Sequence, residues 1–440
     1  MALSPFPSPL GGEGKGEGEG LTVDHMQREK MLSSCRALDL TDEKGFLCGK
    51  ILADLGVDVI KVEPPGGDLS RRMGPFWHDT PDPEKSLYWF AYNSNKRGIT
   101  LDIKMNDGKQ IFKELVKKSD FVIESFPPGH MENLGIGYYA LSGLKREIVL
   151  TSITPFGQSG PYRDYQASDI VAMGMAGELY LTGDSDRPPV NISIPQAWLH
   201  AGADAAVGAM IAYHYRKKTG EGQHVDVSLQ QSAAWFLAST IPYWEVDKTI
   251  LGRVGTFRSG SGSGTVQQQV WPCKDGYVFF FMMGGQQGAK QCRPLVRWME
   301  EEGAGDEFLG TFEWESFDRA TATQELINKI SKPIADFFLT RTRKEALDAA
   351  VSRNIPICPL LNMQDILNDP NLAVRGYWSQ LEYPELNTTI PYPRQFVRSS
   401  ENEVITRFRA PLIGEHNCEI YSEIGLSGEE MVVLREAGVI

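Results

Sequence analysis

"LADLGVDVIKVEPPGGD", residues 52–68, passes from a helical pattern into a short β-branched run through one glycine. Upstream, Phe46, Leu47, Ile51, Leu52 and Leu55 recur at helical spacing, and Gly56 is placed to end that helix. "VDVIKVE" then predicts a strand. The unit repeats as "DGKQIFKELVKKSD" before "FVIES" and as "YALSGLKRE" before "IVLTSIT". Helices alternating with apolar, β-rich runs imply right-handed crossovers and a parallel sheet covered on both faces. The fold class is therefore α/β.

Working outward, residues 200–217 ("HAGADAAVGAMIAYHYRK") are rich in Ala and Gly, which predicts a helix packed closely on its neighbours. "TGEGQHVDVSLQQSAAWFLA" (219–238) reads as turn, strand and helix. After Tyr243 the texture changes: "RSGSGSG" precedes a strand pair, "QQQVWP" and "GYVFFFMM", around the turn "CKDG". The expected division is a large domain from 31–240, a smaller α/β domain with linkers at 241–355, and a closing segment, 356–440, that returns to the large domain. Residues 1–30 are Pro-, Gly- and Glu-rich without periodicity and are expected to be a disordered tail, with Met26 or Met31 as a candidate true start. The tail lacks the charged start and apolar run of a secretory signal.

Composition narrows the function. A net charge of −13 argues against nucleic acid as the main partner, because phosphate backbones require a basic surface. No run approaches the roughly 18 apolar residues of a membrane span. The six cysteines form no CxxC pair and the seven histidines no metal spacing, so neither a metal site nor a disulfide framework is expected, and a cytoplasmic location suits them. "GFLCGK" (45–50) has its glycines too close for a P-loop, and Ile51 stands where a Ser or Thr would hold magnesium. No GxGxxG opens a helix after a strand. "NSNKRGITLD" (93–102) sets Lys96 beside Arg97, and "DLSRR" (68–72) sets Arg71 beside Arg72. In isolation each is a solvated charge pair; the functional reading is a phosphate clamp. "SGSGSG" (259–264) is either a linker or a loop that closes on a bound acyl group.

In order along the chain, these motifs resemble the class III CoA-transferases, the family typified by formyl-CoA and carnitine CoA-transferases. The resemblance runs from about Leu38 to Ile440. It rests on residues 52–68 together with "NSNKRGITLDI", "DFVIESFPPGHMENLGIGYYAL", "ITPFGQSGPY", "KKTGEGQHVDVSLQQ", "DPNLAVRGYW" and "APLIGEHNCEIYSEIGLSGEEMVVL". It implies a Rossmann-like large domain built from both chain ends, a smaller domain between two linkers, and two chains interlocked as rings. It also implies chemistry. An Asp attacks a donor thioester to give a mixed anhydride, the released CoA thiolate converts this to an enzyme-bound thioester, and the acceptor acid displaces it. CoA and acyl-CoA enter as substrates, with no permanently bound cofactor.

Carried over by motif, Lys96, Arg97 and Arg71 fall in CoA-contacting basic segments, and Phe126 falls beside the adenine. Ser125 stands where relatives carry Asn, and Asn133 where some carry a basic residue. The loop that places a Gln in the active site of some relatives here holds Asp42, Glu43 and Lys44. The family's nucleophilic Asp, counted back without gaps from Thr219-Gly220, falls on Trp198 in "IPQAWLHAG". An indole has only an N–H donor and cannot act as a carboxylate. The catalytic residue is thus unassigned. Asp204 is six positions on, about 240° round a helix; Asp169 and Asp184 are alternative acids. The leading expectation is an Asp-lacking subunit paired with a homologous Asp-bearing chain, as the resemblance to benzylsuccinate-type CoA-transferases implies. The alternatives are a homodimer with a relocated carboxylate such as Asp169, or a non-catalytic acyl-CoA-binding scaffold subunit.

Overall fold

The computed structural model describes residues 31–259, 265–402 and 404–440. Six strands form one parallel sheet: β1 (Arg36–Leu40), β2 (Asp58–Glu63), β3 (Arg97–Thr100), β4 (Phe121–Glu124), β5 (Val149–Thr154) and β6 (His224–Ser228), in the spatial order β3-β2-β1-β4-β5-β6. This is the doubly wound order, in which the chain reverses its direction of travel between β1 and β4. Strand residues β1 to β5 are buried almost without interruption, as a sheet covered on both faces requires.

Alternate side chains feed two cores. On one face Ala37, Val59, Phe121, Ile123, Val149 and Ile153 pack under helices Phe46–Asp54, Asp169–Ala176, Gln196–Thr219 and Leu229–Phe236. On the other, Leu38, Ile60, Val62, Val122 and Leu150 pack with Ile111, Phe112 and Leu115, and with Ile420, Tyr421 and Met431 from the chain's end. The end of the chain locks onto β3. Asn417 bonds Thr100 twice, His416 Nδ1 accepts the Gly98 N–H, and the Asp102 N–H reaches the Val439 carbonyl.

A separate core unites Trp271, Phe280, Trp298, Phe337 and Phe338. It lies between an antiparallel sheet (Val270–Cys273, Gly276–Phe280, Ile357–Pro359) and helices Gly285–Glu301, Gln324–Leu339 and Arg343–Arg353. The "CKDG" turn joins the first two of these strands. The loop at 260–264 lies outside the described residues, as does the tail at 1–30.

Helix Gln196–Thr219 is inverted in its use of size. Ala197, Ala201, Gly202, Ala205, Ala209 and Ala212 face inward, while Val207, Ile211 and Tyr215 are exposed along the outer face. The small residues permit close approach to helix Phe46–Asp54. A Cβ on Gly202 would stand 2.8 Å from the Leu47 Cβ and 3.3 Å from the Cys48 nitrogen. Gly202→Ala is expected to cost about 1–3 kcal/mol through this overpacking. Gly143→Ala, in a helix where a Cβ meets nothing within 4 Å, is expected to stabilise by up to about 1 kcal/mol. Thermal melting of the two variants should move in opposite directions.

Candidate functional site

In an open doubly wound sheet the ligand crevice lies beyond the carboxyl ends of the strands where their order reverses. Here that is the space between the ends of β1 and β4, and it brings together the loop Asp42–Lys44 and the segment Glu124–Phe126. Ser125, buried, accepts the Asp42 N–H at 2.8 Å and donates to Asp42 Oδ1 at 2.7 Å. Lys44 Nζ closes on Asp42 Oδ2, and Ser70 donates to Glu43 at 2.6 Å. Ser125 and the Asp42–Lys44 loop are therefore one linked feature.

Tyr88 stands over this loop, its hydroxyl 3.5 Å from the Glu43 carbonyl. Burial, then the neighbouring Tyr92, Glu43, Asp169 and Asp42, push its phenol well above the ordinary value. Tyr88 thus links the loop to the start of helix Gln196–Thr219, where Trp198 packs into the same core. Trp198 is 9% exposed, and its indole Nε1 has no hydrogen-bond partner among the described residues. Its backbone N–H donates to Asp169 Oδ1 at 3.0 Å, and the Gln196 N–H to Oδ2 at 3.2 Å. Both Asp169 oxygens thereby satisfy amide groups that a helix start leaves unpaired. Burial raises the Asp169 carboxyl above its usual range, against these N–H bonds. Asp204 lies further along the same helix, half-buried, and Asp184 lies on a separate loop.

Of the cations singled out by sequence, Lys96, Arg97 and Arg71 are paired within the chain, while Arg72 is exposed. Lys96 is buried, its Nζ bonded to Asp39 (2.8 Å), Asn93 (2.9 Å) and the Phe46 carbonyl (3.0 Å). Burial lowers its pKa to about 8, with Asp39 opposing. Against the desolvation that would raise it, Lys96 and Lys61 hold the Asp39 carboxyl below its ordinary value. Arg71 is buried in a bidentate pair with Glu63, bonds Glu84 and the Pro411 carbonyl, and stacks on Trp89 at 3.8 Å. Arg97 pairs with Asp58, Glu419 and Glu423 at the opposite end of the strands. There, Lys96 and Arg97 line a cleft of about 790 Å³ with Phe408, Arg409 and His416. None of these is a solvated charge pair. Phe126 is half-buried in the crevice turn, its ring 4.7 Å from His130.

Motif reading missed Glu124. Buried at the end of β4, it accepts the Phe126 N–H at 2.6 Å. Burial pushes its carboxyl up to about 7; hydrogen bonds from Ser152 and Phe126 oppose this, and Glu132 and Asp42 add to it. Its place in "ESF" was the available signal. Asp42, Glu43 and Glu124 therefore gather at the ends of β1 and β4, while Lys96, Arg97 and Arg71 are held by acids of the chain itself. Among the described residues no group of His, Cys, Asp and Glu is arranged to hold a metal ion, and no helix is long and apolar enough to cross a membrane.

This arrangement, acids gathered at the switch point of a doubly wound sheet, can be set beside known proteins. Residues 32–417 match the model of CoA-transferase family III, and the chain belongs to that family. It is 32% identical to the succinyl-CoA:(R)-benzylsuccinate CoA-transferase subunit BbsE of Thauera aromatica, over 93% of this chain and 98% of that one. It is 30% identical to a formyl-CoA:oxalate CoA-transferase of Streptomyces avermitilis, over 93% of this chain and all of that one. Among solved structures it is similar to a CAIB/BAIF family protein of Brucella suis, with a TM-score of 0.76 and 25% identity, covering 90% of this chain and 100% of that one.

Two substitutions test the internal roles. Asp39→Asn leaves two buried ammonium groups without their counter-charge and is expected to cost about 3–5 kcal/mol in urea unfolding. Asp169→Ala, by uncapping helix Gln196–Thr219, is expected to cost about 1–2 kcal/mol in the same measurement.

Proposed function

We propose that this chain is the Asp-lacking subunit of a hetero-oligomeric class III CoA-transferase, whose homologous partner carries the nucleophilic carboxylate. The complex moves CoA between an acyl-CoA and an organic acid. The observation that carries this reading is Trp198. The first turn of helix Gln196–Thr219 presents an indole at the register of the family's nucleophile, and Asp169, bonded to that helix's amides, is committed to holding the turn.

Two further features support it. The acids at the ends of β1 and β4 would repel the second negative charge of an attacking or departing carboxylate, and Lys96, Arg97 and Arg71 are engaged by acids of the chain itself. The outer face of helix Gln196–Thr219 exposes Val207, Ile211 and Tyr215, and Trp235, Phe236, Ile241 and Trp244 follow in the next helices. Bulky apolar groups outside and alanines inside fit a helix with a second protein surface against it. An interlocked arrangement with the partner chain is the geometry we assign to that contact.

Within this subunit, Phe126 offers an adenine a stacking face. Lys96 and Arg97 fix β1, β2 and β3 from the amino ends of the strands, and Arg71 holds the end of β2 through Glu63. The location is cytoplasmic, in keeping with six free cysteines.

The test is covalent trapping. The purified chain is incubated with succinyl-CoA, then treated with hydroxylamine or borohydride and analysed by intact mass and peptide mapping. The wild-type chain is expected to remain unmodified, while Trp198→Asp gains a modification at residue 198. Modification of Asp169 in the wild-type chain would overturn the reading in favour of a relocated nucleophile.

A further inference from the structure

The following rests on the nucleotide-binding reading of the crevice given above. Glu124 ends β4 where the sheet reverses its strand order, immediately before the turn that carries Phe126. It is 4% exposed. Ser152, its register partner on β5, stands beside it on the same face of the sheet. Ser152 Oγ lies 2.9 Å from Nε2 of His224, the first residue of β6. His224 stands exposed at the sheet edge, with its ring stacked on Tyr138 at 5.6 Å. Three groups on three adjacent strands thus connect solvent to a buried carboxyl beside the proposed adenine position.

The charged and titratable groups around Glu124 come from each packed element. Asp42 approaches from the loop after β1, itself held by Lys44; Glu132 from helix His130–Asn133; and His224 from β6, through Ser152. The two acids disfavour a third negative charge, and the amide of Phe126 and hydroxyl of Ser152 favour it. Burial and the neighbouring acids favour the neutral carboxyl, and an anion added beside it adds to that preference. CoA brings several.

We propose that Glu124 takes up one proton when an anionic nucleotide occupies the crevice, delivered through Ser152 and His224. Solvent protonates His224 at Nδ1. The Nε2 proton passes to Ser152 Oγ as the Ser152 hydroxyl proton passes to Glu124. The imidazole ends neutral in its other tautomer, the hydroxyl is regenerated, and one carboxylate has become a carboxyl. The Phe126 N–H keeps an acceptor throughout, because the remaining carbonyl oxygen of Glu124 still accepts. The route leaves proton exchange open at the sheet edge when a ligand covers the crevice.

The sign follows from linkage. A bound anion raises the Glu124 pKa further, so affinity must rise as pH falls through the neutral range. Isothermal titration with 3′-dephospho-CoA, which lacks the phosphate monoester that titrates near neutrality, reads this directly. At about pH 7.5, in buffers of different ionisation enthalpy, the observed heat is expected to vary with a slope of about half a proton taken up. Glu124→Gln, which keeps the size and hydrogen-bonding capacity, is expected to bind with a slope near zero. In stopped flow with a pH indicator, His224→Phe should keep the uptake but delay it behind binding.

A buffer-independent heat in the wild type, or an unchanged slope in Glu124→Gln, overturns the proposal while leaving nucleotide binding intact. Uptake simultaneous with binding in His224→Phe overturns the route. Absence of any binding heat between about pH 6 and 8 instead overturns the nucleotide-binding reading, and this inference falls with it.

Discussion

One buried carboxylate organises the large domain. Asp39, on the central strand β1, meets Lys61 from β2 and Lys96 from the segment before β3, and it accepts from the backbone and hydroxyl of Thr41. The lysines in turn hold the carbonyls of Thr41 and Phe46. Three strands, the start of helix Phe46–Asp54 and the loop into the crevice are thereby tied to one side chain. Gly49 is part of the same constraint, since a Cβ there would fall 2.2 Å from an Asp39 oxygen. Two ammonium groups for one carboxylate is a tolerable burial only because carbonyl oxygens and the face of Phe46 complete their coordination.

This arrangement has a consequence for the crevice. The basic residues near the sheet's centre are engaged below it, and the loop above carries acids. Asp42, Glu43 and Glu124 are each held by a hydroxyl or amide donor and left without a full counter-charge, Asp42 excepted through Lys44. A site that must steer an anionic thioester and an organic acid toward a nucleophile needs the opposite balance. Together with the indole at residue 198, this is what supports the proposal that a partner subunit runs the exchange.

The sheet was legible in sequence because its strands are buried on both faces. "VDVIKVE", "FVIES" and "IVLTSIT" read as continuous apolar runs after helical repeats, and they form β2, β4 and β5. That Trp198, Gly202 and Thr219 lie on one helix ended by Gly220 was also legible, from the Ala- and Gly-rich run and the glycine after it. Side-chain pairing was not. "NSNKRG" carries no local sign that Lys96 reaches Asp39, 57 residues away, or that Arg97 meets Glu419 across 322. Nor does "ESF" announce that Glu124 lies beside Ser152, whose hydroxyl meets His224. Burial of a charge depends on partners that only the assembled sheet brings together, so a local pattern defaults to a solvated pair.

The central claim is that this chain functions beside a different, Asp-bearing member of its own family. Native mass spectrometry of the chain purified by a tag from its own host tests it most directly. The account predicts a complex of this chain with a homologous subunit that has Asp at the position corresponding to Trp198. Assemblies made only of this chain, active in CoA exchange, would contradict it.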